Sequence, residues 1–186
     1  RLDGDIFSKN PTVLMVTFGM NDSGYYEYNG DNAKEFGEQK YQESIKNFQQ
    51  MEKRFKELPH TRIVMTGTSP YDETAQIKDN TVFKKKNETI KRIIEYQRES
   101  AARNGWEFTD WNAPMVAINQ ELQQKDPSFT LCGNDRIHPD NDGHMVMAYL
   151  FLKAQGFAGK DVANMEINAN KKQAVKAEGC TISNIK

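Results

Sequence analysis

The alternation of short apolar runs with long amphipathic segments constrains the fold of this chain more than any other feature. The clearest apolar run, residues 12–18, is rich in β-favouring side chains and nearly continuous, which predicts a strand buried on both faces. Runs at residues 62–67 and 106–110 predict two further strands. Because long helices separate the strands, we expect right-handed crossovers and a parallel sheet covered by helices on both faces, a three-layer α/β/α fold.

Four segments between and after these strands carry apolar residues at intervals of three or four, the spacing of one helix face. The two long segments predict helices at residues 33–58 and 82–104, with Gly105 placed to end the second helix. Two shorter helices follow, and the last is predicted to be capped by Asn141 or Asp142. The predicted order of elements is β-α-β-α-β-α-α.

Composition restricts the classes of partner. The 186 residues include 25 Lys and Arg against 26 Asp and Glu, a net charge of −1, so a general affinity for nucleic acid or anionic membranes is not expected. No apolar run approaches the roughly 20 residues of a membrane span. Two cysteines, Cys132 and Cys180, leave open one disulfide or a buried free thiol at Cys132. The run Lys84-Lys85-Lys86 predicts a solvated basic face at a helix start.

Polar side chains follow the first predicted strand, where ligands of an open α/β sheet bind. The strand ends in Gly19-Met20-Asn21-Asp22. The side-chain NH₂ of Asn21 can donate a hydrogen bond to a developing oxyanion. The alternative interpretation is a turn held by hydrogen bonds from side chain to backbone.

A second polar group, Asp135-Arg136-Ile137-His138, precedes the last helix. An aspartate three residues before a histidine can accept the proton on Nδ1, which fixes the tautomer and leaves Nε2 as a base. The alternative is a helix-capping loop with an incidental histidine. These two motifs are the candidate site of the chain.

Together, the motifs resemble the SGNH (GDSL-type) hydrolase family. Further similarity lies before the first strand, after the second strand and at the start of the last helix, in Lys9-Asn10-Pro11, Thr68-Ser69-Pro70-Tyr71 and Gly143-His144. The resemblance covers about residues 1–157 and implies a flavodoxin-like fold for that domain. Residues 158–186 read as a tail of two or three short strands or as the start of a following module.

The resemblance implies a role for each matching residue. Asn21 corresponds to an oxyanion-hole donor, His138 to the general base and acid, and Asp135 to its orienting partner. The implied reaction is hydrolysis of a small acyl ester, a lipid or an acylated carbohydrate through a serine acyl-enzyme, without a metal or organic cofactor. The family also implies a secreted or periplasmic bacterial protein. The remaining expected site residues, on the substrate side or structural, are Gly19, Asp22 and Ser69.

The chain departs from the family at the nucleophile. The family's serine follows Gly-Asp at the end of its first strand, whereas Gly4-Asp5 is followed by isoleucine and no strand precedes it. We therefore expect these residues to be the C-terminal portion of an ester hydrolase, without its first strands and its nucleophile. Ser23 and Ser69 are alternative nucleophiles. Alternative functions are a non-catalytic binding module and a domain whose exposed sheet edge pairs with a partner chain or a second copy.

Overall fold

The computed structural model describes residues 1–78 and 81–185. In these residues, three parallel strands form one sheet in the order β1-β2-β3, and two antiparallel strands form another. This mixed α/β architecture with a parallel sheet confirms the predicted fold class. The strands are β1 (Val13–Phe18), β2 (Arg62–Gly67), β3 (Glu107–Asp110), β4 (Asn164–Asn168) and β5 (Gln173–Glu178), and the helices are α1 (Ala33–Phe55), α2 (Lys86–Asn104), α3 (Asn112–Leu122) and α4 (Asn141–Ala154).

One face of the parallel sheet packs against α1 and α2. The strand register places Leu14 beside Ile63 and Val16 beside Met65, so all four side chains point to the same face. They are buried in one apolar core with residues of both helices. The helix residues of this core are Phe48, Phe55 and Ala101.

On the opposite face of the sheet, α4 packs against β3. Val64 and Thr66 point to this face and are almost completely buried. Gln155, directly after α4, donates a hydrogen bond to the carboxylate of Glu107 at 3.1 Å and so joins the helix to β3. Helices therefore lie on both faces of the sheet, as the three-layer prediction requires. Around the buried residues Trp111 and Met115, the apolar contacts from α4 are Val146, Met147, Leu150 and Phe151.

The prediction that β1 is buried on both faces is wrong. β1 is an edge strand of the three-stranded sheet, and only Leu14 and Val16, which face α1 and α2, are buried. Val13 and Met15 point to the other face and are 49% and 52% exposed, because none of the described helices covers that part of the sheet. Further apolar side chains are exposed on α4, namely Met145, Tyr149 and Leu152.

The ends of α2 are set by a glycine and by a distant carboxylate. Gly105 ends the helix as predicted, with φ of +67° and its N–H on the carbonyl groups of the last turn. The start differs from the prediction, because the helix begins at Lys86 rather than at residue 82. Glu73 accepts hydrogen bonds from the backbone N–H groups of Lys85 and Asn87, both at 2.7 Å, and so caps the helix from a neighbouring loop.

The cap of α4 also differs from the prediction. Neither Asn141 nor Asp142 caps the helix, since both lie inside its first turn. The carboxylate of Asp140 instead accepts a hydrogen bond from the backbone N–H of Gly143 at 3.2 Å.

Residues beyond α4 form a β-hairpin. β4 and β5 pair antiparallel, and most of their side chains are exposed. The third short strand considered at residues 181–182 is not formed, and residue 186 of the predicted tail lies outside the described residues. Among the residues that the structure describes, no helix combines the length and the apolar character needed to cross a bilayer.

Candidate active site

The two polar motifs lie at the carboxyl ends of the parallel strands. The segment after β1 and the loop before α4 both contact one apolar cluster, formed by Tyr71, Ile90 and Ile94. Met20 packs against this cluster from the first motif, and Ile137 packs against it from the second. The fold therefore brings the residues flanking Asn21 and His138 to the same end of the sheet, where such a fold binds ligands.

Asp135 and His138 form a hydrogen-bonded pair. The Nδ1 atom of His138 lies 2.6 Å from Oδ2 of Asp135. The other carboxylate oxygen accepts the backbone N–H groups of Ile137 and His138, both at 2.9 Å. Burial raises the pKa of Asp135, but these hydrogen bonds outweigh it and the net pKa lies below its usual value. With an ionised Asp135 on Nδ1, the tautomer of His138 that carries a basic Nε2 is favoured. The imidazole side chain is 82% exposed and so can meet another group.

Arg136 holds this loop in place from inside the protein. Its side chain is buried, and its Nη1 atom donates to the carbonyl oxygens of Asp72 at 3.0 Å and Ala75 at 2.7 Å. In return, the backbone N–H of Asp72 donates to the carbonyl oxygen of Arg136 at 3.1 Å. The arginine has φ of +68°, a left-handed conformation that turns the chain between Asp135 and His138. Sequence reasoning missed this residue because nothing in the pattern distinguishes a buried arginine from a solvated one.

Gly19 and Asp22 close the turn after β1. The backbone N–H of Gly19 donates to Oδ2 of Asp22 at 2.8 Å, a side-chain-to-backbone bond of the kind considered as the alternative interpretation. Gly19 has φ of +133°, and a Cβ atom on it would lie 3.2 Å from Cγ2 of Thr68. Glycine is therefore required here by backbone conformation and by close approach of the next strand's loop.

Asn21 stands on this turn with an exposed side chain. Its Oδ1 atom accepts a hydrogen bond from the hydroxyl group of Tyr25. Burial, followed by the carboxylates of Asp135 and Asp22, raises the pKa of Tyr25, so its hydroxyl group keeps the donating proton. Because the oxygen end of the amide is engaged, its NH₂ end is turned away from Tyr25 and remains a donor.

The two serines considered as alternative nucleophiles are buried. The hydroxyl group of Ser23 donates to the carbonyl oxygen of Met20 at 2.8 Å and accepts from Nζ of Lys86 at 2.6 Å. Ser69 is 7% exposed in the loop after β2. Within residues 1–78 and 81–185, no serine hydroxyl group is hydrogen-bonded to His138. Among the described residues, Asp135 and His138 therefore form their pair without a serine hydroxyl group hydrogen-bonded to it.

Lys86 contradicts the prediction of a solvated basic run. Its side chain is fully buried, and its Nζ atom reaches across to the segment that follows β1. Burial lowers the pKa of Lys86 to about 7, although the carboxylates of Asp22 and Glu73 oppose this shift. The sequence shows three consecutive charged residues but not which of them is buried. That choice depends on how α2 packs against the rest of the protein.

The cysteines are both free thiols, and no disulfide joins them in the structure. Cys132 is buried with its Sγ atom 3.2 Å from the carbonyl oxygen of Pro70. Burial raises the pKa of Cys132 to about 12, which suppresses thiolate chemistry. Among the residues that the structure describes, no group of three or more His, Cys, Asp or Glu side chains is arranged to hold a metal ion.

Comparisons with known proteins identify one matching family and several similar folds. The sequence profile of the GDSL-like lipase/acylhydrolase family matches residues 1–146. No curated protein matches the chain with significant sequence similarity. Similar folds occur in a catalytic mutant of an acetylxylan esterase from Geobacillus stearothermophilus (20% identity, TM-score 0.60) and in a GDSL-like lipase from Parabacteroides merdae (21% identity, TM-score 0.57).

The matched region is a larger share of this chain than of the similar proteins. The chain aligns over 84% of its own length with both proteins, but covers only 65% of the esterase and 66% of the lipase. A third structure, the acetyl xylan esterase AlAXEase, has 21% identity and a TM-score of 0.51, with 83% of this chain and 72% of that chain covered. At these identities the likeness shows the fold alone.

Proposed function

Because the chain belongs to the GDSL-like lipase/acylhydrolase family, we propose that it is part of an ester hydrolase with His138 as general base and acid. The observation that carries the proposal is the 2.6 Å contact between Nδ1 of His138 and Asp135, at the same end of the sheet as Asn21. This is the arrangement of a base and its orienting group near an oxyanion donor. The fold supplies all three side chains without a residue from β4 or β5.

The proposed reaction has two halves. Nε2 of His138 accepts the proton of a serine hydroxyl group while the serine oxygen attacks the ester carbonyl carbon. The carbonyl oxygen gains negative charge and accepts a hydrogen bond from the NH₂ group of Asn21. His138 then returns the proton to the leaving alkoxide, which departs as the alcohol. In the second half, water replaces the alcohol, the same steps release the carboxylic acid, and Asp135 stabilises the imidazolium each time.

The nucleophile in this proposal lies on a segment outside the 186 residues. Both nearby serines are buried, and the outer edge of β1 is unpaired among the described residues. Val13 and Met15 on this strand expose their apolar side chains. A further strand paired with β1 and a helix packed over that face would bury them. Solved variants of the Geobacillus esterase described as catalytic mutants replace a serine, an aspartate and a histidine, and the last two lie three positions apart. Asp135 and His138 have the same spacing.

The proposed substrates are short acyl esters, with acylated carbohydrates as the first class to test. Two of the similar structures are acetylxylan esterases, which supports an acetyl group on a sugar. A non-catalytic binding module is the alternative, and turnover by the complete protein separates the two.

The first experiment measures the intact mass of the 186-residue protein before and after reaction with a fluorophosphonate, which labels activated serines. We expect no adduct, since Ser23 and Ser69 are buried. A stoichiometric adduct would refute an external nucleophile. Light scattering on the same sample tests the exposed edge, because pairing of two copies along β1 would give a dimer.

The second experiment uses the full gene product and the hydrolysis of p-nitrophenyl acetate. Replacing His138 with alanine removes the proposed base, so we expect kcat/KM to fall by a factor of about 10³ or more. His144→Ala is the matched control, because His144 is also exposed but lies on α4 outside the proposed site. Equal activity of the two variants would contradict the role of His138, and an inactive wild-type protein would favour the binding module.

A further inference from the structure

The segment that carries Asn21 is tied to α2 by a buried lysine. Nζ of Lys86 lies 2.7 Å from the carbonyl oxygen of Met20, 2.6 Å from the hydroxyl oxygen of Ser23 and 2.5 Å from the carbonyl oxygen of Gly24. In its protonated form the side chain of Lys86 has three protons to donate, and all three acceptors belong to this one segment. Lys86 therefore fixes the residues on both sides of Asn21 from the protein interior.

Tyr25 extends this support to the amide itself. Nζ of Lys86 lies 3.9 Å from the centre of the Tyr25 ring, which is a cation–π contact when the lysine is protonated. The same ring packs against Phe83 in a T-shaped arrangement, with the ring centres 6.0 Å apart. Held on two sides, Tyr25 donates its hydroxyl proton to Oδ1 of Asn21. A chain of contacts thus runs from α2 through the tyrosine to the amide.

The orientation of this amide decides whether it can stabilise an oxyanion. Rotation by half a turn would exchange the NH₂ group for the carbonyl oxygen, which repels negative charge. The exposed side chain of Asn21 is not locked by packing, so a specific hydrogen bond is needed to choose one orientation. Burial, followed by the carboxylates of Asp135 and Asp22, raises the pKa of Tyr25 and keeps its hydroxyl group protonated. A protonated hydroxyl group is a donor and therefore selects the oxygen end of the amide.

We propose that Lys86 and Tyr25 are positioning residues for Asn21: Lys86 holds the segment, and Tyr25 turns the NH₂ group of Asn21 toward the oxyanion. This inference rests on the ester hydrolysis proposed above. Neither residue contacts the reacting atoms, so each acts through Asn21 alone. Their predicted effect is on the rate of the chemical step and not on substrate binding.

The first test is Tyr25→Phe in the 186-residue protein, with the side-chain amide of Asn21 observed by nuclear magnetic resonance in an asparagine-labelled sample. The substitution removes one oxygen atom and keeps the ring on Lys86 and Phe83. We expect the two amide proton signals of Asn21 to shift and to broaden through exchange between orientations. The control is Tyr26→Phe, which changes a neighbouring, 80% exposed tyrosine in the same way. Identical Asn21 signals in the two variants would overturn the role of Tyr25, whether or not any enzyme activity exists.

The second test measures kcat and KM of the full gene product with p-nitrophenyl acetate. Loss of a complete oxyanion donor lowers kcat by a factor of about 10²–10³, so misorientation of Asn21 by Tyr25→Phe should lower kcat by about 10-fold or more with KM unchanged. A kcat equal to that of Tyr26→Phe would overturn the positioning role. An inactive wild-type protein would instead overturn the proposed function, and the spectrum of Asn21 would still decide the geometry.

The third test addresses the lysine through hydrogen exchange of the 186-residue protein. Lys86→Met removes all three hydrogen bonds to the segment, so we expect the backbone N–H groups of residues 19–25 to exchange at least about 10-fold faster. Lys84→Met is the control, since Lys84 is an exposed lysine two residues away. Equal exchange in the two variants would overturn the role of Lys86. If Lys86→Met does not fold, Tyr25→Phe alone still tests the orientation of Asn21.

Discussion

Arg136 offers a direct test of how the loop of Asp135 and His138 is held, through replacement by methionine. Methionine fills a similar volume and keeps the apolar stem, but it cannot donate hydrogen bonds. The substitution leaves the carbonyl oxygens of Asp72 and Ala75, now at 3.0 and 2.7 Å from Nη1, without this donor. It also removes a charge that is almost completely buried.

The expected loss of stability follows from two opposing contributions. A hydrogen bond from a charged group to a buried acceptor contributes about 1.5–3 kcal/mol, and Arg136 makes two of them. Burial of the guanidinium group costs free energy, and its Nε atom has no hydrogen-bond partner in the described residues, so methionine recovers part of the loss. We expect Arg136→Met to lower the free energy of unfolding by about 2–4 kcal/mol.

Urea denaturation followed by circular dichroism measures this difference. The control is Arg98→Met, the same chemical change at a side chain that is 42% exposed and paired with Glu95 and Asp110. Surface ion pairs of this kind contribute at most about 1 kcal/mol. If the two variants unfold within about 0.5 kcal/mol of each other, desolvation cancels the hydrogen bonds of Arg136 and the reasoning is refuted.

Two further predictions concern packing and reactivity. A Cβ atom on Gly143 would lie 2.1 Å from the carbonyl oxygen of Leu131, so Gly143→Ala should destabilise the protein by about 1–3 kcal/mol, whereas Gly4→Ala, in open space, should not. Equal midpoints of urea denaturation for the two variants would contradict this. Cys180 should react with a thiol reagent at neutral pH while Cys132, with its pKa raised to about 12 by burial, reacts only after unfolding. Release of two thiolate equivalents from the folded protein would show the burial of Cys132 to be wrong.

Sequence reasoning predicted the features that depend on local patterns. The strands and the faces of α1 and α2 follow from apolar periodicity, and the hydrogen bond between Asp135 and His138 follows from their spacing of three residues. The burial of Lys86 and Arg136 could not be predicted, because a sequence shows charge but not the carbonyl groups that surround it after folding. The exposed face of β1 was not predicted for a related reason. The sequence of an apolar strand is the same whether or not a helix covers that face. The catalytic roles of Asn21, Asp135 and His138 stay predictions.

The strand order of the parallel sheet affects how the protein folds while it is being synthesised. Each strand pairs with the strand that follows it in sequence, so the sheet grows in the direction in which the ribosome makes the chain. Its first ladder, between β1 and β2, must wait until α1 and β2 have emerged. From that moment the outer edge of β1 is available to pair with another strand, whereas β3 and the loop of His138 have not yet been synthesised. A strand supplied by another segment is therefore able to pair with β1 before His138 is synthesised, and the proposed base is the last residue to complete the proposed site.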